Sequence, residues 1–326
     1  MSETPLVGPS VVALGGGHGL AVTLSAVSRY AGQVTAVVSV ADDGGSSGRL
    51  REFWPGPAPG DVRRCLLALA GDGPDEKLWA EVFDHRFERG ELAGHSLGNL
   101  VLVALSELTG NLATAAVEMG HLLGVKARVL PATSGPADIC AEVETAGGVA
   151  LMEGQANVTH SPVPVRRIWL KPEDPPAPDE VLSAIASADQ VVLGPGSLFT
   201  SVLAVCAVPA IREVLAARAG GRVYVCNLAP QETETAGFDA DEHLAVLAAH
   251  GVVVDAVICD PMTRVGAPAS RGLGVSDGSP RVGLDAGIVL AAVANADGHS
   301  HNPAFLAEVL SALIREPARL ESWVSQ

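Results

Sequence analysis

The opening strand–glycine turn–helix–strand run constrains this chain more than any other stretch. Ser10-Val11-Val12-Ala13-Leu14 is apolar and β-branched enough for a buried strand. Gly15-Gly16-Gly17-His18-Gly19 follows, then a helical stretch over 20–30 and a second strand over 34–41. A strand, a crossover helix and a second strand in so short a span form a βαβ unit, whose strands run parallel. Parallel strands are buried on both faces, so helices must cover both sides of the sheet they begin. The glycine turn sits at a helix N-terminus, where free N–H groups and the helix dipole favour an anion. The plainer reading is a tight turn. The usual dinucleotide fingerprint, G-x-G-x-x-G, is absent: started at Gly15 it meets Leu20 at its third glycine, and started at Gly17 it meets Val22.

Composition narrows the function classes. Of 326 residues, 48% are apolar and only 4% aromatic, which suits a densely packed α/β core. With 21 Lys and Arg against 37 Asp and Glu, the net charge is −16, unfavourable for nucleic acid or an anionic membrane surface. The five cysteines, Cys65, Cys140, Cys206, Cys226 and Cys259, show no metal-ligand spacing and read as buried free thiols in a reducing compartment. The first five residues carry Glu3 and no basic residue, unlike a signal peptide, and no apolar run reaches the length of a membrane span. The expected location is the cytoplasm.

The second strand ends in Asp42-Asp43-Gly44-Gly45-Ser46-Ser47-Gly48-Arg49. Adjacent carboxylates at the end of a buried strand need a cation or hydrogen-bond donors to meet them. Glycine N–H groups and serine hydroxyls close behind suit a loop that holds a metal ion, a phosphate or both. Gly60-Asp61 opens a helix over 60–69; Asp61 reads as an N-cap or as a third carboxylate near Asp42 and Asp43. A helical insertion spans about 72–125 and contains Gly94-His95-Ser96-Leu97-Gly98-Asn99, where Ser96 fits a helix cap. A small β-rich excursion follows, with a hairpin over 139–152 broken at Gly147-Gly148 and a strand over 166–170. The proline-rich 171–178 separates an N-terminal half, about 10–170, from a C-terminal half, about 179–326, of one domain covering 1–326. The second half repeats the rhythm: a strand over 190–193, then Gly194-Pro195-Gly196-Ser197 opening a helix. That turn suits a second anionic group, or is only a turn. Strands over 222–226 and 254–259 follow, and residues 264–280 read as a mobile loop. Four polar clusters thus fall at strand ends: 15–19, 42–47, 194–197, and Asn227 with the loop after it. No nucleophile is paired with a base in the sequence, and no G-x-S-x-G elbow is present.

Five motifs together carry a family resemblance: Leu14-Gly15-Gly16-Gly17-His18-Gly19, Ala41-Asp42-Asp43-Gly44-Gly45-Ser46-Ser47-Gly48-Arg49-Leu50, Gly60-Asp61-Val62-Arg63, Gly94-His95-Ser96-Leu97-Gly98-Asn99 and Leu193-Gly194-Pro195-Gly196-Ser197-Leu198. The chain resembles the YvcK-type gluconeogenesis factors of the CofD-like superfamily over nearly its whole length. The resemblance implies a three-layer α/β/α, Rossmann-like, doubly wound and mostly parallel sheet in a cytoplasmic homodimer. It implies a ligand of the UDP-sugar class, notably UDP-N-acetylglucosamine, or another nucleotide. Relatives are needed for normal cell shape and wall synthesis on gluconeogenic carbon, which implies cell-wall or regulatory protein partners. The related 2-phospho-L-lactate transferases of coenzyme F420 biosynthesis hold a metal on aspartates matching Asp42, Asp43 and Asp61. Two segments depart from the family. Gln231-Glu232-Thr233-Glu234-Thr235 stands where Gln-Pro-Gly-Glu-Thr is common, and Ser300-His301-Asn302 where a basic residue and His-Asp are common.

The expected site therefore takes Gly15 to Gly19 and Gly194 to Ser197 for a diphosphate. Asn227, Gln231 and Thr235 serve the base or sugar pocket, joined by Asn99, Gly44, Gly45, Ser46 and Ser47. Asp42, Asp43 and Asp61 bind Mg²⁺ or sugar hydroxyls. No organic cofactor is expected. A non-catalytic nucleotide-sugar-binding regulator is the leading expectation, and a metal-dependent transferase of the phospholactate type the alternative. A nicotinamide dehydrogenase fits poorly, because the glycine template fails and the second strand ends in a doubled Asp.

Overall fold

The computed structural model describes residues 8–231, 233–261 and 287–315. Its centre is a seven-stranded sheet. The strands are β1 (Ser10–Gly15), β2 (Gln33–Val38), β3 (Arg128–Pro131), β7 (Gln190–Leu193), β8 (Arg222–Val225), β9 (Ala256–Cys259) and β10 (Gly287–Leu290). They lie in the order β3-β2-β1-β7-β8-β9-β10, and every pairing is parallel. A separate antiparallel sheet joins β4 (Asp138–Thr145), β5 (Gly148–Glu153) and β6 (Val165–Lys171) in the order β5-β4-β6. The hairpin read at Gly147-Gly148 joins β4 to β5.

Burial explains why the central strands read as unbroken apolar runs. Val11, Val12, Ala13 and Leu14 of β1 are at most 2% exposed, as alternate residues enter opposite layers. Val11 and Ala13 pack with Leu20 and Leu24 of α1 (Gly17–Val27), Val62 and Leu66 of α3 (Gly60–Ala68), Met119 of α6 (Leu112–Leu122) and Leu306 and Leu310 of α12 (Pro303–Arg315). Val12 and Leu14 pack with Val181 and Ile185 of α8 (Asp179–Ser187), Ile211 of α10 (Pro209–Ala216), Leu244 of α11 (Ala240–Ala249) and the small sheet. Each fully buried Val or Leu stabilises the fold by about 1.5–3 kcal/mol, so the two layers clamp the sheet between them. The arrangement is a three-layer, Rossmann-like α/β fold.

Local chemistry sets the helix ends. In α5 (Leu97–Thr109), Ser96 caps the start by accepting from the Asn99 N–H, and Gly110 closes it at φ 91°. Asn111 caps α6 through the Thr114 N–H, and Asp239 with Glu242 forms a capping box on α11. The helical insertion resolves into α4 (Pro74–Asp84), α5 and α6. Three expectations needed revision. Residues 42–47 are not all loop: α2 (Gly45–Arg51) begins within them. The turn after β7 leads into a π-helical segment, Leu198–Leu203, before α9 (Ala204–Cys206). Asp61 does not cap its helix, since Pro59 holds that position and Asp61 lies in the first turn. Residues 264–280, read as a loop, lie outside the described residues. All five cysteines are free and buried.

Candidate functional site

The strand order reverses between β1 and β7. The helix after β1 covers one face of the sheet, and the helical segment after β7 covers the other. A crevice opens where such connections part, at the carboxyl ends of the strands. A cleft of about 350 Å³ lies there, lined by Gly17, Ser39, Asp42, Gly44, Gly45, Ser46, Ser47, Gly60, Asp61, Arg63, Arg64, Arg86, Asn99, Gln155, Thr200 and Ser201.

Asp61 ties three elements together. Its Oδ2 accepts the Gly17 N–H at 2.9 Å, which fixes the turn after β1. A Cβ on Gly16 would stand 2.4 Å from that oxygen, so only glycine permits the approach. Its Oδ1 pairs with the Arg64 guanidinium, whose Nη2 is also 3.8 Å from Asp42 Oδ2. Asp42 accepts the Gly44 N–H at 3.0 Å. Burial, and then the neighbouring Asp61, raise the Asp42 carboxyl above its ordinary value, against the pull of the Gly44 N–H, Ser47 and Arg64. Two carboxylates therefore share one arginine.

Asp43 turns the other way. Its Oδ1 accepts the Ala156 N–H of α7 (Gln155–Thr159) at 2.8 Å, tying the end of the second strand to the small sheet. The three aspartates expected to hold Mg²⁺ thus do not converge. Among the described residues, no group of three or more His, Cys, Asp and Glu side chains is arranged to hold a metal ion. Asp42 and Asp61 remain together, and the cation they meet in this arrangement is the Arg64 guanidinium, paired with Asp61 and 3.8 Å from Asp42 Oδ2.

The arginines are anchored from behind. Arg63, 5% exposed, donates from Nε to Asn99 Oδ1 at 3.1 Å and pairs with Asp84. Arg49 donates to the carbonyls of Ala93 and Glu91, and Arg86 to that of Gly94, so both clamp the segment between α4 and α5 beside the cleft. In the same wall Ser46 Oγ lies 3.0 Å from His95 Nδ1. Both residues are buried. Burial, and then the guanidinium groups of Arg49 and Arg86, lower the His95 pKa from its ordinary value, so the imidazole is neutral at pH 7.

The second glycine turn is locked on the other side. Asn227 Oδ1 accepts the Gly196 N–H, and its Nδ2 donates to the Gly196 carbonyl, both at 2.7 Å. Glu234, 2% exposed, accepts from Thr200 Oγ1 at 2.7 Å, Ser197 Oγ at 3.1 Å and the Phe199 N–H at 3.3 Å. Gln231 Nε2 donates to Ser197 Oγ at 3.1 Å, and the Gln231 N–H to Thr235 Oγ1 at 2.9 Å.

Among the residues expected from sequence, Gly17, Asp42, Gly44, Gly45, Ser46, Ser47, Asp61 and Asn99 line the cleft. Gly15, Gly16, Gly19, Gly194, Pro195, Gly196 and Ser197 form the turns around it. Asn227, Gln231 and Thr235 brace the second turn. Asp43 faces α7, and His18 is exposed on α1. Sequence reading missed Arg64, Arg86, Gln155, Thr200, Ser201, the Ser46–His95 contact and the bracing role of Glu234. Arg63 closed a quoted motif, yet carried no expected role. Arg64 directly follows it, which was the available signal. Nothing local marked Arg86 or Gln155.

An all-parallel doubly wound sheet with a polar cleft at its switch point places the chain among the Rossmann-like ligand-binding folds. The family model for 2-phospho-L-lactate transferase CofD matches residues 11–271, and the chain belongs to that family, on the branch of the gluconeogenesis factors. A Mycobacterium leprae (strain TN) protein bearing the gluconeogenesis factor name provisionally is 49% identical over 261 residues, 77% of this chain and 72% of its own length. The gluconeogenesis factor of Bacillus subtilis (strain 168) is 39% identical over 74% of this chain and 75% of its own. A crystal structure of a Bacillus halodurans protein of the UPF0052 family superposes with a TM-score of 0.80. It is 35% identical and covers 93% of this chain and 98% of its own.

Proposed function

We propose that the cleft binds a nucleotide sugar of the UDP-N-acetylglucosamine kind. In this reading the protein is a cytoplasmic, homodimeric regulator acting on cell shape and wall synthesis during gluconeogenic growth, through cell-wall or regulatory protein partners. One observation carries the reading: three guanidinium groups, Arg63, Arg64 and Arg86, line a switch-point cleft against two carboxylates, Asp42 and Asp61, a local excess of positive charge in a chain whose net charge is −16. Local guanidinium groups and glycine N–H groups attract a diphosphate that the whole molecule would repel. Asp42, Asn99 and Gln155 supply partners for sugar and ribose hydroxyls. The relatives' names support the metabolic setting.

Calorimetric titration with UDP-N-acetylglucosamine, with and without Mg²⁺, tests the proposal when the nucleotide is followed by mass. Saturable binding is the expected result. Absence of binding would overturn it.

A second reading, a transferase of the 2-phospho-L-lactate type, draws on the name of the matching family model. Nucleotide cleavage that depends on Mg²⁺ and on Asp42 would favour it over the regulator. No step through a metal follows from the donor set described above.

A further inference from the structure

The geometry points to Ser46 as a nucleophile toward phosphorus, with His95 as the base that receives its proton. The two residues are 49 positions apart in sequence, yet their side chains meet at 3.0 Å in the cleft wall. Ser46 lines the cleft and His95 does not, though both are buried, at 4% and 5% exposure. A nucleophile at the cleft wall with its base one hydrogen bond further in is the order such a pair requires.

Three further facts suit this chemistry. Burial, and then Arg49 and Arg86, disfavour the imidazolium, so in its Nε2–H tautomer the neutral ring can accept the serine proton at Nδ1. Arg63, Arg64 and Arg86 line the same cleft and suit the charge on a phosphoryl group under attack. Ser47 is held differently: it hydrogen-bonds Asp42, and a Cβ on Gly60 would lie 2.5 Å from its Oγ. Only one serine of the pair is coupled to a histidine.

The substrate class is a phosphoanhydride. The Ser46 Oγ–P bond forms as the P–O bond to the leaving phosphate ester breaks. The serine proton moves to His95, which passes it to the leaving oxyanion. Water then attacks the same phosphorus and the P–Oγ bond breaks. His95 takes a proton from that water and returns it to Ser46. The inference rests on the cleft being a site for a phosphate-bearing ligand. It adds covalent chemistry that a pure sensor lacks.

A fluorophosphonate tests it without the natural ligand. Attack forms the Oγ–P bond and expels fluoride, and the adduct is located by peptide mass. Wild-type protein is expected to label at Ser46, faster as pH rises through the His95 titration and level above it. Ser46→Ala should not label, and His95→Gln should label on the order of a hundredfold more slowly. Circular dichroism and the melting temperature report whether each variant folds, and the wild-type pH profile does not depend on either. No adduct on wild-type Ser46 overturns the inference, as does a His95→Gln rate within twofold of wild type. Nucleotide binding by calorimetry is read separately, so a failed dyad is distinguishable from a failed ligand site.

Discussion

Gly19→Ala probes the closest approach around the cleft. The two glycine turns touch there: a Cβ on Gly19 would stand 1.7 Å from the Pro195 carbonyl oxygen, 2.4 Å from its carbon and 3.0 Å from the Gly196 nitrogen. Ordinary contact begins at 3.4 Å, so the turns would have to part by 3.4 less 1.7, or 1.7 Å. Neither side can yield cheaply. Every clashing atom is backbone, Gly196 is held twice by Asn227, and the Gly194 N–H donates to the Leu14 carbonyl at 3.0 Å. Overpacking of this kind costs about 1–3 kcal/mol. At about 2.1 cal/mol/K per residue over 326 residues, the unfolding entropy is roughly 0.7 kcal/mol/K, or about 1.5 °C of Tm per kcal/mol. Gly19→Ala is therefore expected to lower Tm by about 2–4 °C, measured by scanning calorimetry. Nucleotide affinity should fall about tenfold or more, since Gly17 of the first turn and Thr200 and Ser201, just after the second, line the cleft and would move apart. Gly147→Ala is the control: its Cβ meets nothing closer than 3.9 Å, and both quantities should hold. A Gly19→Ala protein with wild-type Tm and affinity would refute the packing of the two turns.

Three further outcomes are expected. Asn227→Ala leaves the Gly196 N–H and carbonyl without their partners, and should lower stability in urea by about 1–3 kcal/mol; a smaller loss with unchanged nucleotide affinity would remove Asn227 as a brace. Wild-type Tm should be indifferent to Mg²⁺, whereas Arg64→Ala should lose on the order of 1 kcal/mol, moderated by the arginine's 34% exposure, and gain a Tm rise on adding Mg²⁺ as Asp42 and Asp61 are freed; a wild-type rise would mean the cation displaces Arg64. Burial holds the Glu234 carboxyl above its ordinary 4.5, despite hydrogen bonds from Thr200, Ser197 and the Phe199 N–H. The folded state then keeps this proton to higher pH than the unfolded chain, so the residue's contribution is fully present below 4.5 and declines as pH rises through the raised value. The Tm of wild type minus that of Glu234→Gln should accordingly be larger near pH 4 than near pH 8, and a difference that grows with pH would contradict this.

Much of the fold was legible because its signals are local. The βαβ opening, the hairpin at Gly147-Gly148 and the proline-rich join before α8 are written in consecutive residues. Within the cleft, polar strand ends were legible for the same reason. What escaped notice depends on distant partners. Asp43 looks like a metal ligand until Ala156, 113 residues on, is seen to claim it. Asp61 looks like a cap until Gly17, 44 residues back, takes its Oδ2. Glu234 stood in a segment singled out for departing from the family, yet the departure is confined to Glu232 and Thr233. Glu234 and Thr235 match the family pattern, and both brace the second turn. Buried His95 gave no local sign that Ser46 would be its neighbour.

The pairing of β1 with β7 also sets a schedule for synthesis. Ser10 meets Asp189 across a separation of 179 residues, and the cleft exists only once that meeting has occurred. At about 5–20 residues per second, a ribosome takes roughly 10–40 s to deliver the later strand after the earlier one. Until then β1 presents an open apolar edge, in a register that any other parallel strand could copy. The strand that completes the ligand cleft is thus also the one that covers the open edge of β1.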